Sequence, residues 1–172
     1  MSTHAVGGSS ELVWSLERAA KGLALAAPFG AAIAVRHGLG AAALHAAGVP
    51  LGFAVAVGLG TPALCIGVAH ADLEVDARAA VVAVADGVAV AGRVLAGLSP
   101  AALLLCVTAE SHVTAASFAT LGLLLGSAMG VRALSAALDG VPRLFLWVFV
   151  PFLALLTARV WWLVLPALGG GR

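Results

Sequence analysis

Long apolar segments separated by short polar ones make up most of this chain. The clearest segment covers residues 113–131, which are 19 residues without a charge or a proline. That length meets the minimum of about 18 apolar residues for a membrane-spanning helix. Similar segments at residues 49–69, 86–108 and 144–165 predict three further spans. The pattern therefore predicts helices that cross a membrane.

The beginning of the chain has a different pattern. Residues 10–21 alternate polar and apolar positions with helical spacing, which predicts a short amphipathic helix at the membrane surface. Residues 22–48 follow as a first span, although Arg36 and His37 interrupt them. Either Arg36 snorkels from one end of an ordinary span, or the second half of this segment is re-entrant or interfacial.

Three shapes remain open for the third span. Asp72 can cap its helix, with Glu74 and Asp76 near the positive end of the helix dipole. These acidic positions do not match a calcium loop, since no glycine occupies the required turn. Pro100 lies inside the segment and allows a straight, kinked or broken helix, and Ser99 could cap a second piece.

These segments predict an all-α fold: a polytopic transmembrane helix bundle of about five spans with a short N-terminal amphipathic helix. We divide the chain into a disordered start with the amphipathic helix (1–21), the transmembrane bundle (22–166) and a tail (167–172). The composition agrees, since 62% of the residues are hydrophobic, 10% are charged and the mean hydropathy is +1.11. The formal net charge of +1 gives no electrostatic basis for binding nucleic acid.

Small residues recur at every fourth position in two of the predicted spans. They are Gly122, Gly126 and Gly130 in one span and Gly52, Ala56 and Gly60 in the other. Such a stripe allows another helix to pack closely, either within the chain or from a second copy. We expect Gly126, the middle glycine of its stripe, to mark the closest helix–helix contact in the protein.

Two pairs of polar residues lie within or beside the spans and are candidate sites. Asp86 and Arg93 share a helix face but stand about 10 Å apart along the axis, so we expect no close mutual pair. Arg93 should pack against protein or reach a water-filled crevice, because facing acyl chains is costly. Glu110 and His112 lie in a short turn that makes the adjoining spans antiparallel neighbours.

Motifs of known chemistry are absent from the sequence. It has no His-Glu-x-x-His motif, paired-cysteine metal site, phosphate loop or Gly-x-Ser-x-Gly elbow. Cys65 and Cys106 lie in apolar segments without a pairing pattern. We therefore expect no enzymatic activity, no catalytic residue, no cofactor and no metal ion.

Two functional hypotheses follow from these observations. The favoured one is a non-enzymatic scaffold or assembly subunit of a larger membrane complex, because the chain has close-packing stripes and almost no soluble part. The alternative is a small transporter or channel subunit that uses Asp86, Arg93 and the turn of Glu110 and His112. The expected partners are the lipid bilayer and either another membrane protein or further copies of the chain. The absence of Asn and Gln indicates a GC-rich bacterial genome, and hence the inner membrane.

Basic residues near the predicted span ends indicate the orientation. Five of them fall on one side and three on the other: Arg18, Lys21, Arg78, Arg132 and Arg143 against Arg36, Arg159 and Arg172. Because basic residues concentrate in cytoplasmic loops, we predict a cytoplasmic N-terminus and an external C-terminus. Reporter fusions at Gly7 and Gly170 should report opposite sides of the membrane. Both ends on one side would show that a span is miscounted.

Overall fold

The structure is a computed structural model that describes residues 4–70, 76–138 and 143–164. Within these ranges the chain forms five α-helices and one short 3-10 turn, Val35–His37. The helices are α1 (His4–Ala34), α2 (Leu39–His70), α3 (Ala77–Thr108), α4 (His112–Ala137) and α5 (Arg143–Val164). The prediction of an all-α helix bundle is therefore confirmed.

Four of these helices are long and apolar enough to cross a membrane. Among the described residues the candidate spans are Ser10–His37, Leu39–Gly67, Ala77–Thr108 and His112–Ala137. α5 contributes a shorter apolar stretch, Pro151–Leu163. The chain is a multi-pass membrane protein, and a fifth span through α5 stays a prediction.

The first two spans divide at Gly38, and not where the sequence pattern placed the boundary. Residues 10–21 are continuous with the first span inside α1, so they form no separate surface helix. Of the two forms left open for residues 22–48, the first span does carry Arg36 near one end, but residues 39–48 belong to the second span. The two spans separate because Gly38 adopts a φ of 97° and donates its N–H to the Val35 carbonyl 3.0 Å away. Glycine is the residue that takes this left-handed conformation without strain. The second span consequently begins at Leu39 instead of residue 49.

The third span is one continuous helix through Pro100, which excludes the broken form. Its N-cap is Asp76, whose carboxylate accepts a hydrogen bond from the Arg78 N–H at 3.3 Å. The predicted cap, Asp72, lies outside the described residues. Proline is tolerated here because neighbouring groups in a membrane helix satisfy the carbonyl that loses its donor.

The helices alternate in direction along the chain. α1 and α3 run parallel, since Glu11 pairs with Arg78 at one end and Arg36 donates to the Ala109 carbonyl at the other. α2 runs antiparallel to both and lies against α1 and α5. The most extensive interface joins α1 to α3, followed by the interface of α3 with α4. α5 packs mainly on α2, so it lies at the edge of the bundle.

The α1–α3 interface contains the closest backbone contact found at any described glycine. A Cβ added to Gly92 would overlap the Gly22 carbonyl group, and one added to Gly22 would lie 2.6 Å from the Ala89 Cα. A second such approach brings Gly30 of α1 onto the His45 carbonyl of α2. Helix association in lipid depends on this kind of close contact, because there is no water to expel.

The glycine stripe of α4 faces α1 and α3. A Cβ at Gly122 would lie 2.5 Å from the Phe29 ring, and one at Gly130 would lie 2.8 Å from the Gly87 carbonyl oxygen. Gly126 meets the end of the Leu95 side chain, at 2.8 Å. The prediction that Gly126 marks the closest helix–helix contact is wrong, because this leucine fills the space between the two backbones.

Substituting Gly92 tests the backbone contact between α1 and α3. Gly92→Ala should lower the free energy of unfolding by about 1–3 kcal/mol or more, since the new methyl group meets rigid backbone. Gly97→Ala is the matched control on α3, because nothing lies within 4 Å of its Cβ position. That variant should be neutral or slightly stabilising. Equal melting temperatures of the two variants in mild detergent would contradict the contact.

Candidate functional site

The structure does not bring the predicted residues Asp86 and Arg93 together. Asp86 Oδ1 pairs instead with Arg18 Nη1 of α1 at 3.0 Å, and both side chains are partly exposed. Arg93 is exposed on α3, where its Nε donates to the Ala89 carbonyl of the same helix at 3.1 Å. Of the two expectations for Arg93, packing against protein is therefore wrong, and contact with a water-filled crevice stays a prediction.

The position of Arg93 along α3 accounts for its exposure. It lies 15 residues from Thr108, the last residue of the helix, or about 22 Å at the usual helical rise. In a hydrocarbon layer of about 30 Å, its long side chain reaches the interface on the N-terminal side of the bundle.

Glu110 and His112 lie at the opposite end of the bundle, in the turn between α3 and α4. The His112 ring meets the His37 ring edge-on, with a centroid separation of 5.6 Å and an interplanar angle of 71°. Arg36 Nη1 donates to the Ala109 carbonyl at 3.3 Å. Glu110 is exposed, and no described hydrogen bond or ion pair joins its side chain to Arg36, His37 or His112. The result is a polar cap that joins the ends of α1, α3 and α4.

This polar cap does not form a metal site of the usual kind. Across the described part of the chain, no group of three or more His, Cys, Asp or Glu side chains could hold a metal ion. His37 and His112 together offer two imidazoles. Cys106 is buried and faces the Ala115 carbonyl, with its Sγ at 3.8 Å. The arrangement is suited to holding helix ends together.

Two ion pairs cross from α1 to α3 on the N-terminal side. Glu11 pairs with Arg78 at 2.9 Å, and Arg18 pairs with Asp86 at 3.0 Å. The sequence contained a signal for them that was missed. On α1 the two charged residues are seven positions apart, and on α3 their opposite charges are eight positions apart. Both pairs can therefore form at once when the two helices run parallel.

An apolar cleft separates the α2–α5 pair from the α3–α4 pair. Its volume is about 340 Å³. Each of the four helices contributes to its wall, for example through Phe53, Ala91, Val131 and Leu153. Three hydroxyl groups also line it and donate to carbonyls of their own helices: those of Thr61, Ser127 and Thr157. Sequence reasoning missed the cleft, because it depends on where α5 lies.

The α2–α5 contact is built around Trp161. The indole packs on Gly52, where an added Cβ would lie 2.5 Å from its Cδ1, and meets the Phe53 ring edge-on at 5.0 Å. Trp161 is buried, so it does not mark a membrane interface in the way that many tryptophans near span ends do. Its Nε1 has no hydrogen-bond partner among the described residues. Trp162, its neighbour in the sequence, is exposed.

Comparisons with known proteins give no assignment for this arrangement. No family model, curated protein or solved structure matches the chain. The functional argument therefore depends on the geometry of the two polar ends and of the cleft.

Replacing Trp161 tests how α5 is held. Trp161→Ala should lower the free energy of unfolding by about 3–5 kcal/mol, because it empties the space beside Gly52. Trp161→Phe should lower the free energy of unfolding much less. The smaller ring loses part of the contact area, but the change also removes a buried N–H group that has no hydrogen-bond partner among the described residues. Trp162→Ala, at an exposed neighbouring position, is the control. Equal losses for the two alanine variants, measured by thermal unfolding in detergent, would contradict the buried position.

Proposed function

We propose that this protein is a non-enzymatic scaffold or assembly subunit of a larger membrane complex. The supporting observation is the parallel α1–α3 pair, which is longer than a bilayer is thick. α1 has 31 residues and α3 has 32, giving lengths of about 46 and 48 Å. The hydrocarbon core is about 30 Å thick. With the polar cap at one interface, about 16 Å of the pair extends beyond the other.

The extended part of the pair is held in a defined orientation. Its two cross-helix ion pairs are partly exposed, so each contributes little to stability and mainly fixes how α1 lies on α3. Val13, Trp14 and Leu16 project from this part, with exposed fractions of 64%, 64% and 57%. A tryptophan suits the headgroup layer, whereas the two aliphatic side chains gain most from contact with protein. We propose that the partner subunit binds here.

The alternative function, a small transporter or channel subunit, has weaker support. Asp86 and Arg18 neutralise each other on the N-terminal side, and Arg93 bonds to its own helix. Glu110 and His112 belong to the opposite end of the bundle. A conduction path would need polar groups between the two ends, whereas the cleft in that region is lined mainly by apolar side chains.

The proposal includes a location and an orientation. The Ala-rich composition, with one lysine and no Asn or Gln, supports a bacterial origin, and a bacterial multi-pass protein of helices belongs in the inner membrane. The excess of basic residues near the N-terminal side supports a cytoplasmic N-terminus. The Val13, Trp14 and Leu16 surface then faces the cytoplasm.

Co-purification tests the proposed function. The tagged full chain, extracted in mild detergent, should retain a different protein in a fixed ratio. Leu16→Ser should remove that protein without changing the melting temperature of the bundle. Leu59→Ser on α2 is a matched control, because Leu59 has the same exposed fraction, 57%, on a different helix from the Val13, Trp14 and Leu16 surface.

The alternative function predicts a different result. A closed homo-oligomer without a foreign partner would favour the transporter or channel subunit. Retention of the partner by Leu16→Ser would contradict the binding surface proposed here.

A further inference from the structure

The apolar cleft opens sideways, between α4 and α5. Most of its lining side chains are shielded, but Leu124 and Ala128 of α4 and Ala154 of α5 are exposed. These three residues therefore mark the mouth. Because the mouth lies between the candidate span of α4 and the apolar stretch of α5, it faces lipid acyl chains.

The dimensions of the cleft match one acyl chain from one leaflet. Its wall on α4 extends from Leu124 to Leu134, which is about 15 Å at the helical rise and half the hydrocarbon thickness. The volume is about 340 Å³. One acyl chain extends through one leaflet, which is the same half of the hydrocarbon thickness, so the length of the cleft suits a single chain.

A basic residue lies beside the mouth at the depth of the lipid phosphates. Leu124, Ala128 and Arg132 are four residues apart, so Arg132 continues the row of the mouth by one turn. It lies 20 residues after His112, the start of α4, which places it about 30 Å away at the opposite interface. Arg132 is exposed, and its side chain forms no ion pair or hydrogen bond within the described residues.

We propose that the cleft binds one acyl chain of an anionic phospholipid, whose phosphate group is bound by Arg132. The lipid comes from the leaflet on the N-terminal side of the bundle. The side chains that line the cleft make dispersion contacts with the acyl chain, and they would lose these contacts if the cleft were empty. Arg132 supplies a planar donor group that pairs well with phosphate oxygens. This lipid site is independent of the proposed partner surface around Leu16.

The test uses the purified full chain in mild detergent with added dioleoyl-phosphatidylglycerol or dioleoyl-phosphatidylcholine. Native mass spectrometry should show one phosphatidylglycerol retained per chain, and this lipid should raise the melting temperature more than phosphatidylcholine does. Arg132→Gln should weaken phosphatidylglycerol retention about fivefold, the usual effect of one basic residue near an anionic surface, and remove the difference between the lipids. Ala128→Phe, which fills the mouth, should abolish retention of both.

Two control variants separate this site from general lipid association. Arg159→Gln removes an exposed arginine of α5 that does not line the cleft, and Ala136→Phe adds a ring to an exposed position of α4 outside it. Both should retain phosphatidylglycerol as the unchanged chain does. Equal retention of the two lipids by the unchanged chain, or retention by Ala128→Phe, would overturn the proposal. Detection of a second copy or another polypeptide in place of the lipid would also overturn it.

Discussion

The backbone contact between α1 and α3 is the constraint on which the rest of the structure depends. Gly22 and Gly92 allow the two parallel helices to touch without an intervening side chain. Bilayer lipid gives no hydrophobic driving force for helix association, so this contact area has to supply the attraction. The same alignment brings the charged residues of the two helices together on the N-terminal side, and it brings Arg36 to the turn after α3 on the other.

Sequence reasoning predicted the helical, membrane-embedded character of the chain because that depends on apolar length alone. It misplaced the first boundary because the apolar run resumes after Arg36 and His37, and the isolated Gly38 received no weight. It also missed the main contact. Gly22, Ala26 and Gly30 repeat with the four-residue spacing of the other stripes, but the predicted boundary placed Gly22 at the end of a span. A stripe shows that a helix can be approached closely, and it does not identify the helix that approaches.

The candidate sites show the same limit. The distance from Asp86 to Arg93 follows from the helical rise, so their separation was predictable from sequence. The pairing of Asp86 with Arg18 depends on the parallel arrangement of α1 and α3, which becomes visible in three dimensions. The cleft is even harder to predict from the sequence. It forms because α5 packs on α2 through Trp161 and makes little contact with α4. Arg132 then acquires a role from its position beside the mouth.

The parallel packing of α1 and α3 has a consequence for biogenesis. During synthesis α1 enters the membrane before α3, its principal neighbour, has been made. α2 is inserted after α1 and before α3. The tight turn at Gly38 allows α1 and α2 to form a helical hairpin before α3 is present, with Gly30 packed on the His45 backbone. The surface around Gly22 stays covered by lipid until α3 arrives and displaces it. The close contact of α1 is therefore completed after the third helix is made, when Gly92 reaches Gly22.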